Sequence, residues 1–337
     1  MIRPLAFALC ALGLLSCERN DRPRVVLYTS ADTYVVDAVV REFESRTGIK
    51  VDTVGDTEAT KTTGLVQRLI NERGRTRADV WWSSEALGTV TLVERGLLSP
   101  FTPTDLPDDW PEELKDPGAL WYGFAQRARV IAYDTRAAKL DEVPTTLQDL
   151  TSDRFRGLVG IARPQFGTTR SHIAAVIALK GEDAAREWLR ALKANDIKLY
   201  DGNSAVVTAI AQGEIRFGLT DSDDVRAAQR NGWPVACITE SPSDGLSAGA
   251  IVIPNTVAIL QGAPNRQSAE RLASFLLSAD VERLLAKSDS GNTPVRTSVA
   301  KEFPELAFSR VAPVTPMQIA EAMEAADRLI AEVLPPR

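Results

Sequence analysis

Histidine is almost missing from this chain: His172 is the only one among 337 residues. A single imidazole weighs against a multi-histidine metal site and against a Ser-His-Asp hydrolase. Cysteine is nearly as scarce. Cys10 and Cys17 sit at the very start, leaving only Cys237 in the body, so there is no disulfide framework and no cysteine-rich metal site. Cys237, in WPVACITES, reads as a small buried hydrophobe. Basic charge is not in excess: 39 Lys and Arg stand against 45 Asp and Glu, a net charge of −6. With no basic, aromatic patch either, no nucleic-acid partner is expected. Nucleophile motifs, Gly-rich phosphate loops, spaced metal-binding histidines, internal repeats and heptads are also missing.

What is present is ordinary for a globular protein, with 44% hydrophobic and 25% charged residues. The length suits two domains, each with its own core. The N-terminus, MIRPLAFALCALGLLSCERN, has an early Arg3 and an apolar run from Leu5 to Leu15. That run is short for a bilayer span and fits a secretory signal. Leu14-Leu15-Ser16-Cys17 resembles a bacterial lipobox, which implies residues 1–17 as a lipoprotein signal peptide, lipidation at Cys17 and a polar tether over 18–24. No later segment is apolar enough to cross a membrane.

Strand and helix patterns alternate along the rest. Strands are expected at Val25–Tyr28, Ile49–Val54, Asp79–Trp82, Arg129–Asp134, Leu158–Ala162, Ile215–Thr220 and around Ile251–Leu260. Helices are expected over Tyr34–Thr47, Thr62–Arg73, from about Thr145, from Thr169, over Arg266–Leu277 and over most of Thr315–Leu334. The five prolines between Pro100 and Pro117 read as a surface loop. This alternation implies an α/β fold with parallel strands. The chain's order implies two lobes, residues 25–120 plus 250–300 and residues 121–249 plus 301–337, with a ligand cleft between them. Trp81 and Trp82 are expected as one core and one partly exposed ring near the cleft. Tyr28 is expected to pack in the core, and Tyr34 is open to a cleft role.

One segment concentrates the chemistry. In GEIRFGLTDSDDV a short buried strand delivers Asp221, Asp223 and Asp224 within four residues. Open α/β sheets bind ligands beyond the carboxyl ends of their strands. The alternative is an acidic cap for the helix VRAAQR, where Asp is also favoured. Crowded carboxylates raise one another's pKa, a repulsion that a hard cation such as Fe³⁺, Mn²⁺, Mg²⁺ or Ca²⁺ relieves.

Several stretches together resemble the bacterial periplasmic ferric-ion-binding proteins, within the type II solute-binding proteins of ABC importers: VVLYTSAD, FESRTGIKV, ADVWWSSEALGTVTLVERGLL, RARVIAYDT, VGIARPQFGTT, ALKGEDAAREWLRALK, GNSAVVTAIAQGEI and AERLASFLLSADVERLLA. The resemblance covers residues 25–335. It implies a two-lobed type II periplasmic-binding-protein fold and a monomeric, membrane-anchored lipoprotein of the periplasm or cell exterior. Such a protein is no enzyme and delivers cargo to an inner-membrane ABC permease. It also implies a ferric site of hard oxygen ligands with a bound anion, but this chain departs from that pattern. The family's paired tyrosines correspond to Asp223 and Asp224, its histidine to Asp32, and its glutamate to Ser84, with Glu85 one residue later. The anion contacts correspond to the loop Phe166-Gly167-Thr168, with Thr169 beside it, and to Asn203 and Asp221, with Arg127 and Arg129 on the crossover strand. Carboxylates in place of phenolates lower the expected selectivity for ferric iron. The resemblance thus leaves a hard cation, with or without an anion, as cargo, and a sugar phosphate or phosphonate held by Arg127 and Thr168–Thr169 as the alternative. A secreted metal-dependent phosphohydrolase is the remote one.

Overall fold

The computed structural model describes residues 22–55, 62–165, 167–243 and 245–336. Cys17, the lipobox and most of the tether lie outside the described residues. Among those described, no helix is long and apolar enough to cross a membrane.

The chain begins with β1 (Arg24–Thr29), α1 (Thr33–Thr47), β2 (Lys50–Gly55), α2 (Thr63–Asn71), β3 (Val80–Ser83), α3 (Leu87–Glu94) and the two-residue β4 (Leu98–Ser99). After the proline-rich loop comes the long β5 (Trp121–Asp134). Then follow β6 (Val159–Ala162), α4 (Gly167–Lys180), α5 (Glu182–Ala194), β7 (Lys198–Tyr200), α6 (Asn203–Gln212), β8 (Phe217–Asp221), α7 (Ser222–Arg230) and β9 (Val235–Ile238). The chain returns through β10 (Val252–Leu260), α8 (Arg266–Leu276), α9 (Ala279–Lys287), the short α10 (Thr297–Ala300), α11 (Pro316–Glu321) and α12 (Met323–Val333).

The strands run in the order β2-β1-β3-β10-β5-β8-β6-β7, with β4 added to β10 and β9 to β5. Strand β5 joins two sheets. Its first part, Trp121–Ala128, pairs antiparallel with β10, and Arg129–Asp134 pairs with β8 and β9. The α/β class and two-lobed architecture expected from the alternation are what the fold contains. Apolar packing is likewise divided. One set of clusters is built on Leu27, Phe43, Trp82, Phe124 and Leu272, with Tyr28 and Trp81 in a neighbouring cluster. The other is built on Ile131, Ile161, Trp188, Phe217 and Leu329.

Several elements differ from the sequence expectation. No α-helix starts at Thr145: single 3₁₀ turns occupy Asp149–Thr151 and Asp153–Phe155, and Asp149 spends its carboxylate on the Thr145 and Thr146 amides. Strand β5 begins eight residues before Arg129, because Gln126 and Arg127 interrupt its apolar run yet still pair with β10. The expected long final helix is split at Ala322. Its first part reaches α3 and α4, and its second packs on α4 and α5. Trp81 and Trp82 are both fully buried. Neighbouring strand residues point to opposite faces, and both faces of β3 are covered, so neither ring reaches the cleft. Their indole nitrogens are satisfied by Thr89 Oγ1 at 2.8 Å and Asn255 Oδ1 at 3.1 Å. Cys237, expected inside, is half-buried on β9.

At the crossover the backbone is irregular. Ala125 has φ +42°, a region that costs a non-glycine residue energy, and the β5–β10 register shifts between Pro254 and Asn255. Asn255 Nδ2 donates to the Ala125 carbonyl at 2.5 Å. The buried Glu282 accepts from the amides of Ala125, Val295 and Arg296. The kink is thus held from both sides, at the junction of the two sheets.

Candidate functional site

Three helices of the second sheet begin near one point. Helix α4 opens on Gly167, whose φ of +66° glycine adopts freely, and brings Thr168 and Thr169 into its first turn. Helix α6 starts at Asn203 after Gly202. Helix α7 follows directly on β8, with Asp221 at its N-cap and Asp223 and Asp224 in its first turn. The helix-cap reading of the acidic cluster is therefore partly realised, because two carboxylates lie at the positive end of α7. Asp221, however, makes no side-chain cap bond to its own helix.

Asp221 instead turns inward, where its oxygens meet four donors. Arg129 Nη1 lies 2.7 Å from Oδ1. Thr168 Oγ1 at 2.8 Å, Asn203 Nδ2 at 3.0 Å and Arg127 Nε at 3.4 Å reach Oδ2. Burial alone would raise the Asp221 carboxyl, but Arg129 and Arg127 outweigh it and hold it below the usual carboxylate range. Arg129 is itself fully buried. The same Nη1 also faces Asn203 Oδ1 at 3.1 Å and Thr168 Oγ1 at 3.2 Å, while Nε reaches His172 Nδ1 at 3.3 Å and Nη2 lies 3.5 Å from Thr169 Oγ1. Behind it, His172 Nε2 lies 3.1 Å from Glu240 Oε1, both side chains buried, without hydrogen-bond alignment.

One oxygen each from Asp221, Asp223 and Asp224 falls within 4.8 Å of the others. Distance groups the three; hydrogen bonding separates them. Asp223 Oδ2 is 3.5 Å from Arg127 Nε, while its Oδ1 is buried with no hydrogen-bond partner among the described residues. Burial, reinforced by Asp221 and Asp32 and opposed by Arg127, pushes the Asp223 carboxyl up to about 6. Asp224 accepts from Ser204 Oγ at 2.7 Å, and burial with Asp223 and Asp221 beside it pushes its carboxyl up to about 8. Without a cation the cluster therefore holds protons that a cation would displace.

The first sheet contributes the facing residues. Asp32 is the N-cap of α1, where it makes no side-chain cap bond, and its charge helps raise both Asp223 and Tyr34. The Tyr34 phenol, half exposed, is raised by burial first and then by Asp32, Asp223 and Asp289 against a bond to Ser290. Tyr28, by contrast, is buried against Glu72 at 3.1 Å. Ser84 lies with its hydroxyl 3.3 Å from Ser30, and its carbonyl receives Arg127 Nη1, a contact that ties β5 to the loop after β3. Glu85 bends back onto its own helix, accepting from the Leu87 and Gly88 amides at 2.7 and 3.0 Å. Burial raises its carboxyl against those bonds.

The predicted residues thus fall into three groups. Asp223 and Asp224 are drawn together with unmet acceptor capacity, and the charge of Asp32 acts on Asp223. Arg127, Thr168, Thr169, Asn203 and Asp221 converge too, but the donors expected to grip an anion are taken up by Asp221 or bonded among themselves. Glu85 is engaged in α3. Two residues escape sequence reasoning: Ser204 as the partner of Asp224, and Glu240 behind His172. The only hint to the first is a hydroxyl in the loop that also carries Asn203.

Comparison with known proteins places this architecture. The model of a family described as bacterial extracellular solute-binding protein matches residues 38–308. The major ferric iron-binding protein of Neisseria meningitidis serogroup B is 27% identical over 287 residues, covering 83% of this chain and 80% of that one. Iron uptake protein A1 of Synechocystis sp. is 25% identical over 292 residues, with the same coverage of 83% and 80%. Among solved structures, iron-bound HitA from Pseudomonas aeruginosa superposes with a TM-score of 0.79 at 25% identity, covering 93% of this chain and 99% of that one. The two-lobed α/β fold and these similarities lead to one identification: this chain belongs to the bacterial extracellular solute-binding protein family.

Proposed function

We propose that the protein captures a hard cation, ferric iron foremost, between its lobes and hands it to an ABC permease in the inner membrane. The carrying observation is Asp223, whose Oδ1 is buried without a partner beside the protonation-prone Asp224. Carboxylate oxygens suit such ions. Asp223 and Asp224 supply the first ligands from the start of α7, and Asp32, with the Tyr34 phenol near it, adds oxygens from the facing lobe. Ser84, in the loop after β3, is held there by Ser30. A cation bonded from both lobes stabilises the closed arrangement over the open one by its differential contacts. With the hinge at the kink around Ala125 and Asn255, the sequence-expected lobes shift at their seam: residues 121–124 move with residues 25–120 and 255–300, and residues 126–254 move with residues 301–336.

The named ferric iron-binding and iron-uptake relatives support this cargo. The sugar-phosphate or phosphonate alternative asks Arg127 and Thr168 for the phosphate, and both are already bonded to Asp221. A lipid on Cys17 would keep the monomer at the membrane beside its permease. The protein acts as a binder and not as an enzyme, so incubation with phosphate esters and Mg²⁺ or Mn²⁺ is expected to release no phosphate.

The test is titration with Fe³⁺ delivered from citrate, and with Mn²⁺, Ca²⁺ and sugar phosphates, read by tryptophan fluorescence. Native mass spectrometry with elemental analysis of protein from its own periplasm should accompany it. Saturable Fe³⁺ binding that is lost in Asp223→Ala/Asp224→Ala is expected. Binding of a sugar phosphate with no metal would sink the proposal.

A further inference from the structure

Beneath the cation ligands lies a pocket with the attributes of an anion site. Helices α4, α6 and α7 point their N-termini toward it, and the positive ends of helices attract anions. Two arginines, a threonine hydroxyl and a side-chain amide aim donors at its centre, and charge-assisted bonds of this kind are the strong ones. Arg129, at its floor, is fully buried and donates from Nε to His172 Nδ1. Soluble proteins do not normally leave such a donor set dry and empty, because a buried guanidinium without a counter-charge is costly.

The group in that pocket belongs to the chain. Asp221 is placed to cap α7, yet its carboxylate is diverted from that helix and receives Arg129, Thr168, Asn203 and Arg127. Counting lone pairs, Oδ2 already has three donors and Oδ1 the shortest arginine bond, so little acceptor capacity remains for a cation. Its 4.8 Å proximity to Asp223 and Asp224 therefore does not make it a third ligand.

We infer that Asp221 is a built-in anion. It fills a pocket that would otherwise take a small external oxyanion such as phosphate or a carboxylate, so the cargo cation is bound without a co-bound anion. Asp221 is then a positioning residue: it neutralises Arg129 and, with Arg127, sets how much positive charge the ligands Asp223 and Asp224 experience. This refines the cation reading above and rests on it for the cargo, but the anion pocket can be tested without any metal.

The metal-free arm uses thermal unfolding of the full chain in chloride buffer with added formate or inorganic phosphate at constant ionic strength. The wild type is expected to show no saturable stabilisation by either anion. Asp221→Ala is expected to melt lower and to regain stability saturably, at millimolar formate or phosphate, as the external anion enters the vacated space. If that variant does not fold in chloride, its refolding yield with and without formate reads the same effect, and Asp221→Ser offers a second small, neutral replacement. The cation arm compares Fe³⁺ uptake from citrate with and without formate. The wild type should be indifferent, and Asp221→Ala should bind about tenfold more weakly unless formate is present. A wild type that is itself saturably stabilised by either anion overturns the inference, and so does a folded Asp221→Ala that neither anion rescues. Absence of Fe³⁺ binding by the wild type, with formate rescue intact, would instead defeat only the choice of cargo.

Discussion

Buried carboxylates occur in two very different settings in this molecule. Asp79, fully buried between β1 and α8, accepts from the Val26 amide at 2.7 Å and from the Asn265 amide and side chain at 2.6 and 2.9 Å. Glu282 is likewise satisfied by three amides around the crossover kink. Among the described residues, Asp223 and Asp224, at the start of α7, have one arginine and one serine side chain between them, and one oxygen has no partner. The first pair is part of what holds the fold together, since every acceptor has its donor. The second pair is held by the fold at a cost, and such a cost is retained where a ligand removes it. Asp221 stands between the two cases: it shares the sequence run of the second pair and the full set of partners of the first.

That contrast can be broken most severely on the structural side. Asp79→Ala should orphan the Val26 and Asn265 donors and lower stability by about 3 kcal/mol or more, seen in urea unfolding, while the folded fraction keeps its cation affinity. On the functional side, Asp223→Asn/Asp224→Asn should do the reverse. Cation affinity is expected to fall by about a hundredfold, or roughly 2.7 kcal/mol, while the metal-free protein melts no lower than the wild type. If the double replacement destabilises the fold as Asp79→Ala does, the distinction fails.

The pH dependence sharpens the same comparison. The carboxyls of Asp223 and Asp224 are raised in the folded state to about 6 and about 8. Between the unfolded value and these, the native protein binds more protons than the unfolded chain, so stability falls as pH rises. Metal-free wild type should therefore lose thermal stability between about pH 4 and 8, on the order of 5 °C in midpoint, and the Asn double variant should lose distinctly less over that window. A smaller but direct signal comes from cation binding at pH 7, which should release protons, chiefly from Asp224. Calorimetry in two buffers of different ionisation enthalpy would count them, and an identical heat in both would contradict the raised Asp224. The mildest test is Ser204→Ala, which removes a side-chain donor to Asp224 and should change stability by only about 0.5–1 kcal/mol.

Much of the fold is legible in the chain's local pattern. The strand–helix alternation around VVLY, VGIA and RFGLTD follows from apolar runs of strand length bounded by turn residues, and each forms a strand. The crowding of acids at the end of β8 is legible too, because a buried strand that ends on Asp221 carries Asp223 and Asp224 directly into the next helix's first turn. The absent helix at Thr145 and the full length of β5 are illegible for a common reason. Both depend on where polar side chains find distant partners: Asp149 with the loop amides, and Gln126 and Arg127 with β10. The burial of both tryptophans is hidden because a strand with both faces covered cannot be told from a half-exposed one by a VWWS tetrad alone.

The sequence by itself determined the fold class and the crowding of carboxylates at one helix start, since both follow from local pattern and from residues adjacent in the chain. Only the tertiary structure decided which of those carboxylates is free to act. Arg129 and Thr168 reach Asp221 across 92 and 53 residues, and no local signal distinguishes TDSDD with its first acid neutralised from TDSDD with its last. Three helix N-termini and two strand arginines had to converge before Asp221 became a counter-ion and Asp223 was left with an unpartnered oxygen. That selection is electrostatic and long-range in sequence, so it appears only when the chain is folded.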